Sequence, residues 1–270
     1  MKEKVNLLVL LDLIFLVMLG LSGAASEHKA LTDFFYYGAF IIPILIGTGY
    51  IQKYTAYAEN YTPINTKITK EKFLFSLPLF FPIIASICVI AFLTNLVINY
   101  FGYSNSISYE ENIILAIILH ALIPAFLEEM LFRYIPLNLL FENKKYAVVL
   151  SSFLFAFAHM NLFQIPYALF AAIALSLITL ATSSILPAML IHFLNNLLSL
   201  LTIYGLNPII LYSSILIIAI LSIIVVIFKR KEYKSVASET FAKDITPEVG
   251  YSPLIFIGIS TLILISNLLI

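Results

Sequence analysis

Apolar runs of about 20 residues recur along this chain, each long enough to cross a hydrocarbon layer of ~30 Å as a helix rising ~1.5 Å per residue. A soluble domain has no place to bury so many of them. Nor does it have the charges to cover them: 61% of the 270 residues are hydrophobic and 11% charged, with a mean hydropathy of +1.02. Ordinary globular domains sit near 45–50% and about 25%. The expected fold class is therefore all-α, a polytopic transmembrane helix bundle. The net charge is zero and no basic block of the kind that binds nucleic acid is present. The single cysteine, Cys88, has no partner for an internal disulfide and reads as a small packed side chain in an apolar run.

Nine candidate spans follow from the apolar runs, at 5–25, 34–51, 73–99, 112–141, 146–160, 164–182, 185–204, 208–228 and 252–270. The first has the basic start and the Gly23-Ala24-Ala25 tail of a signal peptide, yet the chain after it is itself membrane-embedded, so a retained span is expected. No internal repeat appears, and residues 1–270 read as a single transmembrane domain with polar stretches near 52–72 and 229–250. Lys and Arg concentrate in cytoplasmic loops. With the N-terminus inside, nine spans put every Lys and Arg except Lys29 and Arg133 on the cytoplasmic side. The expected location is thus the plasma membrane, with lipids as neighbours and the C-terminus outside if the last span is real.

Ionisable groups inside hydrocarbon cost roughly 2.5–3.5 kcal/mol each on insertion scales, yet the fourth span carries Glu128, Glu129 and Arg133. Glu129 and Arg133 stand four residues apart on one helical face, with the acid on the favourable N-terminal side. Glu128 lies about 140° from Arg133 around a regular helix and is left over. An unpaired carboxylate in a low dielectric suits a general base or acid. His159 closes Phe155-Ala-Phe-Ala-His159, with Phe155 one turn earlier, and His192 shares a face with Asn196 four residues on. At ~1.5 Å per residue from the cytoplasmic ends, Glu128, His159 and His192 lie about 21, 20 and 11 Å deep, so these groups can meet in one cavity. Spans four, five and seven are expected to form that polar cavity, opening towards the cytoplasm. A lone His in an apolar helix is more often a packing residue. Two of them, with a same-face Asn and an unpaired Glu, favour chemistry.

Glu128-Glu129-Met-Leu-Phe-Arg133, Phe155-Ala-Phe-Ala-His159 and His192-Phe-Leu-Asn-Asn196 follow one another on successive helices. In this they resemble the three motifs of the CAAX protease and bacteriocin-processing family (CPBP, or Abi) of intramembrane endopeptidases, which includes the Ras-converting enzymes. The likeness covers a core of about 112–204. It implies a CAAX-type intramembrane (metallo)endopeptidase that cuts near the C-terminus of a lipidated or otherwise membrane-associated peptide. On that resemblance Glu128 and His159 activate a water, His192 and Asn196 stabilise the oxyanion, and Glu129 with Arg133 hold the site. Glu128, His159 and His192 are of the types that ligate one Zn2+ with an open position; the same three can work as a metal-free acid–base set, and no His-Glu-x-x-His pair decides between them.

Two other readings use the same residues. In a transporter the polar groups would line a path, but no Pro or Gly interruptions recur in matching halves as that reading needs. A non-proteolytic immunity or scaffolding protein would keep the fold without needing Glu128, His159, His192 and Asn196 together. His28 reads as a loop residue and His120 as the outer end of the fourth span. Asp12, in the first span, reads as a buried hydrogen bond to a neighbouring helix. The cluster from Lys229 to Lys234 reads as a stop-transfer anchor that touches anionic lipid.

Overall fold

The computed structural model describes residues 1–56, 58, 61, 63–100, 112–241 and 253, and all their regular structure is helical apart from one isolated bridge between Asn65 and Ser184. The helices are α1 (Lys2–Ala24), α2 (Lys29–Thr55), α3 (Lys70–Tyr100), α4 (Ile113–Leu139), α5 (Lys144–Ala158), α6 (Ile165–Thr182), α7 (Leu186–Ile203), α8 (Pro208–Phe228) and α9 (Arg230–Phe241). Seven of them, α1–α4 and α6–α8, are long and apolar enough to cross a membrane. The chain is an integral membrane protein. The fifth expected span is a helix of 15 residues, about 22 Å long, and it stops at the functional candidate His159 rather than running through the layer. The ninth, 252–270, lies outside the described residues except for Pro253.

Two apolar cores divide the bundle. One joins α1, α2, α4, α5 and one side of α6, with Phe15 set edge-on to both Phe40 and Phe132. Asp12 is buried on the Leu8–Phe15 face of α1 in this half. The other joins α3, α6, α7 and α8 through Phe80, Ile84, Leu175, Ile178, Ile191 and Ile215. Without a hydrophobic drive between helices in lipid, close packing has to hold them together, and small residues permit it. At Gly47 a Cβ would fall 2.6 Å from Ile135 Cδ1, so only glycine lets α2 lie this close to α4.

The fourth span is not a uniform α-helix. Ile117–Leu122 and Met130–Tyr134 are π-helical, and each ends in an i→i−5 bond: Ile123 N–H to Ile118 O, Ile135 N–H to Met130 O. A proline follows each bond, Pro124 and Pro136. Proline has no N–H for the carbonyl four residues back, and slipping the ladder to a wider turn keeps its neighbours paired. Regular 100° spacing therefore does not hold between Glu128 and Arg133.

The basic residues collect at one end of the bundle. Lys4 pairs with Glu142 and lies 4.7 Å over the Phe141 ring and 5.3 Å over Tyr54. Asn65 exchanges 3.0 Å backbone bonds with Ser183 and Ile185, tying the α2–α3 connection to the α6–α7 turn. Asn138 Oδ1 accepts from the Tyr61 hydroxyl at 2.6 Å and from Ile64 N–H at 3.0 Å, and Asn138 Nδ2 donates to Tyr134 O. Burial pushes the Tyr61 hydroxyl up to about 12, so it stays protonated and keeps donating. α9 packs back on the bundle, with Tyr233 donating to Phe75 O at 2.8 Å. Among the described residues the opposite end holds Lys29 alone of the Lys and Arg.

Asn138→Ala strands a hydroxyl and a backbone N–H, each a loss of about 1–3 kcal/mol when buried, whereas Tyr61→Phe removes one donor and leaves Asn138 paired to Ile64. Thermal unfolding in detergent should show a clear fall in Tm for Asn138→Ala and a smaller one for Tyr61→Phe.

Candidate active site

Three helices deliver the site. Glu128, Glu129 and Arg133 come from the middle of α4, His159 from the residue that ends α5, and His192 and Asn196 from α7. Glu129 and Arg133 are fully buried, with Arg133 Nη1 2.9 Å from Glu129 Oε1. The contact is electrostatic rather than an aligned hydrogen bond, since none of the guanidinium nitrogens has a hydrogen-bond partner. What supports the cation instead is a ring: the Arg133 guanidinium carbon lies 3.9 Å over the Phe155 centroid, a desolvated cation–π contact of about 2 kcal/mol or more.

Phe155 is the hub of the site. Besides carrying Arg133, it stands edge-on to Phe132 at 5.4 Å, to His159 at 4.6 Å and to His192 at 6.0 Å. The spacing of Phe155 and His159 showed a shared face; only the fold shows that this ring meets both histidines and the arginine.

Both histidines are held by Nδ1. His159 Nδ1–H donates to Phe155 O at 2.8 Å, and a carbonyl can only accept, which fixes that proton. His192 Nδ1–H donates to Glu129 Oε1 at 2.8 Å. In each ring Nε2 is left for other partners, and His192 Nε2 lies 3.8 Å from Glu128 Oε2. Glu129 thus serves Arg133 and His192 through one oxygen, a role that helical spacing alone missed. Glu128 is the more exposed carboxylate, at 19% against 0% for Glu129, in line with the expectation that it is the one left over. The backbone beyond His159 is unusual as well: Met160 takes φ 48°, a left-handed conformation that costs a non-glycine residue about 1–2 kcal/mol and turns the chain sharply away from α5.

Glu128, His159, His192 and Asn196 all line one cavity of about 1060 Å³ between the two apolar cores. His120, expected as a mere marker of the end of its span, lines it as well, and so does Cys88, which also packs against the second core as expected of a small packed side chain. The cavity's place corrects a further expectation. Its lining runs from mid-helix to the end away from the basic cluster: Ala85 to Asn95 of α3, His120 to Glu128 of α4, Gln164 just before α6 and Tyr167 to Leu175 along it, Ile191 to Ile203 of α7 and Tyr212 to Leu216 of α8. It does not open on the Lys-rich end. Its walls also come from more helices than the three that carry the motifs, because α3, α6 and α8 complete it.

The zinc alternative fares less well on geometry. Among the described residues no three His, Cys, Asp or Glu side chains are gathered closely enough to hold a metal ion. Glu128, His159 and His192, as placed, do not fit a site of three protein ligands.

Residues 110–198, from the connection before α4 to the second half of α7, match the family model of type II CAAX prenyl endopeptidases, Rce1-like. This is the family whose motifs the chain resembles, and it is a family of proteases. No curated protein and no solved structure matches the chain.

The two glutamates should fail differently. Glu129→Gln leaves a buried Arg133 without its counter-charge, a loss that reaches about 3–5 kcal/mol for buried pairs, and it weakens the hold on His192. Glu128→Gln keeps size and polarity at a partly open position. Detergent melting curves should show a large Tm drop for Glu129→Gln and little change for Glu128→Gln.

Proposed function

We propose that this protein is an intramembrane endopeptidase that hydrolyses a peptide bond of a membrane-associated substrate with a water activated by Glu128 and His159. The observation that carries this reading is the pairing of a partly open carboxylate with two histidines whose Nδ1 atoms are fixed, so that each Nε2 is left for other partners at the cavity. A structural ion pair alone would need only Glu129 and Arg133.

The steps follow from the hydrogen-bond capacities. Glu128 accepts a proton from the water, with His159 Nε2 as a second acceptor to orient it. The hydroxide adds to the scissile carbonyl, and the resulting oxyanion accepts hydrogen bonds from the Asn196 carboxamide and from His192 Nε2–H. Donation by His192 requires its imidazolium form, for which Glu129 is the counter-charge. Glu128 then passes its proton to the departing amine. A proton-transfer group of this kind contributes about 10²–10⁴-fold in rate, and an oxyanion donor about 10²–10³-fold. Glu129, Arg133 and Phe155 hold His192 in place.

A quenched fluorescent peptide, offered with and without a farnesyl group to the purified protein in detergent, tests the reading. Glu128→Gln should lower turnover at least 100-fold with the fold intact, and Asn196→Ala should lower it by about 10²-fold. Wild-type turnover in Glu128→Gln overturns the role of that carboxylate. Since Glu128, His159 and His192 do not fit a metal site, turnover should persist in excess chelator, and its loss there would restore the zinc route.

A further inference from the structure

The placement of the cavity bears on which substrates can reach it. The end of the bundle with the basic cluster is closed: Leu139, Leu140, Ser184 and Ile185 are all fully buried there. Over them lie Tyr61 and residues 63–66, tied to Asn138 and to the 183–185 turn, and the Lys4–Glu142 pair. The cavity occupies the other end, among the halves of α3, α4, α6, α7 and α8 that carry no Lys or Arg. Basic residues mark the cytoplasmic ends of membrane helices, so the closed end faces the cytoplasm and the cavity faces away from it.

The lining narrows the substrate further. Its polar side chains beyond the catalytic set include the neutral Asn95, Gln164, Asn195, Ser199 and Thr202, and neither Lys nor Arg lines it among the described residues. A peptide unwound within a membrane exposes N–H and C=O groups that lipid cannot satisfy. Asn and Gln supply both a donor and an acceptor to such a backbone. Apart from His192, committed to the oxyanion, no cation among the described lining residues stands ready to receive a terminal carboxylate. We infer that the site takes a membrane-inserted polypeptide with a neutral, apolar cleavage stretch presented from the side opposite the cytoplasm, cut within the chain rather than at its extreme C-terminus. This deepens the endopeptidase reading above and rests on it.

Cys88, the chain's one cysteine, lines the cavity and provides a native reporter. Intact cells are treated with a membrane-impermeant maleimide, using the wild type and two variants on a Cys88→Ser background, Thr202→Cys at the outer cavity and Lys67→Cys at the basic end. Cys88 or Thr202→Cys should label in intact cells, and Lys67→Cys only after permeabilisation. The reverse pattern overturns the sidedness. In a second arm, right-side-out and inside-out vesicles receive a palmitoylated fluorogenic peptide with a neutral apolar stretch flanked on both sides by further residues. Cleavage should be at least tenfold faster in right-side-out vesicles, and equal or faster cleavage in inside-out vesicles overturns the inference while leaving the protease reading standing. Cleavage only when the stretch lies at a free C-terminus overturns the internal cut. If neither orientation cleaves while the outer labelling pattern holds, the peptidase reading itself fails, and the substrate class with it.

Discussion

Two full charges, Glu129 and Arg133, sit in contact at the centre of a membrane helix, and the surroundings are built to make that tolerable. Desolvating such a pair can exceed its mutual attraction unless other groups share the load. Here the Phe155 face lies against the guanidinium, and His192 donates to the same carboxylate oxygen that faces Arg133. The ion pair therefore reaches across three helices, α4, α5 and α7. Its electrostatic demand and the orientation of the candidate catalytic histidine are met by the same contacts.

The prolines give α4 the shape this arrangement requires. A straight α-helix would send Glu128 away from Arg133, whereas the π turns before Pro124 and Pro136 widen the helix on either side of the glutamates. Both carboxylates then approach His192, one at Nδ1 and the other at Nε2. A carboxylate that fixes one ring nitrogen while the second nitrogen faces the chemistry recurs at acid–base sites because it sets tautomer and direction together.

Packing divides the molecule in a way that suits a site of this kind. The Asn65 bridge and the Asn138 carboxamide close the basic end, and the cavity lies at the other end, among the outer halves of the helices of both cores. A tight end and an open end allow a polar chamber in the membrane without a continuous water path through it. The 15-residue α5 contributes by stopping at the chamber: its last turn presents Phe155 and His159, and the Met160 turn removes the chain.

Much of this was legible in the sequence because hydrophobicity and charge are local properties. The apolar runs marked the seven membrane-length helices, the Lys and Arg positions grouped their ends correctly, and Glu128, Glu129, Arg133, His159, His192 and Asn196 stood out as polar groups where lipid forbids them. The i,i+4 rule found the Glu129–Arg133 pair because it joins neighbours on one helix. Only the tertiary structure decided that Glu129 also holds His192, that Phe155 carries Arg133, and that Cys88 and His120 face the cavity, since each depends on another helix whose rotation no local pattern records. The end on which the cavity opens was beyond the sequence for the same reason: residue depth along a helix locates a side chain in the membrane, but where packed helices diverge is set by which faces touch.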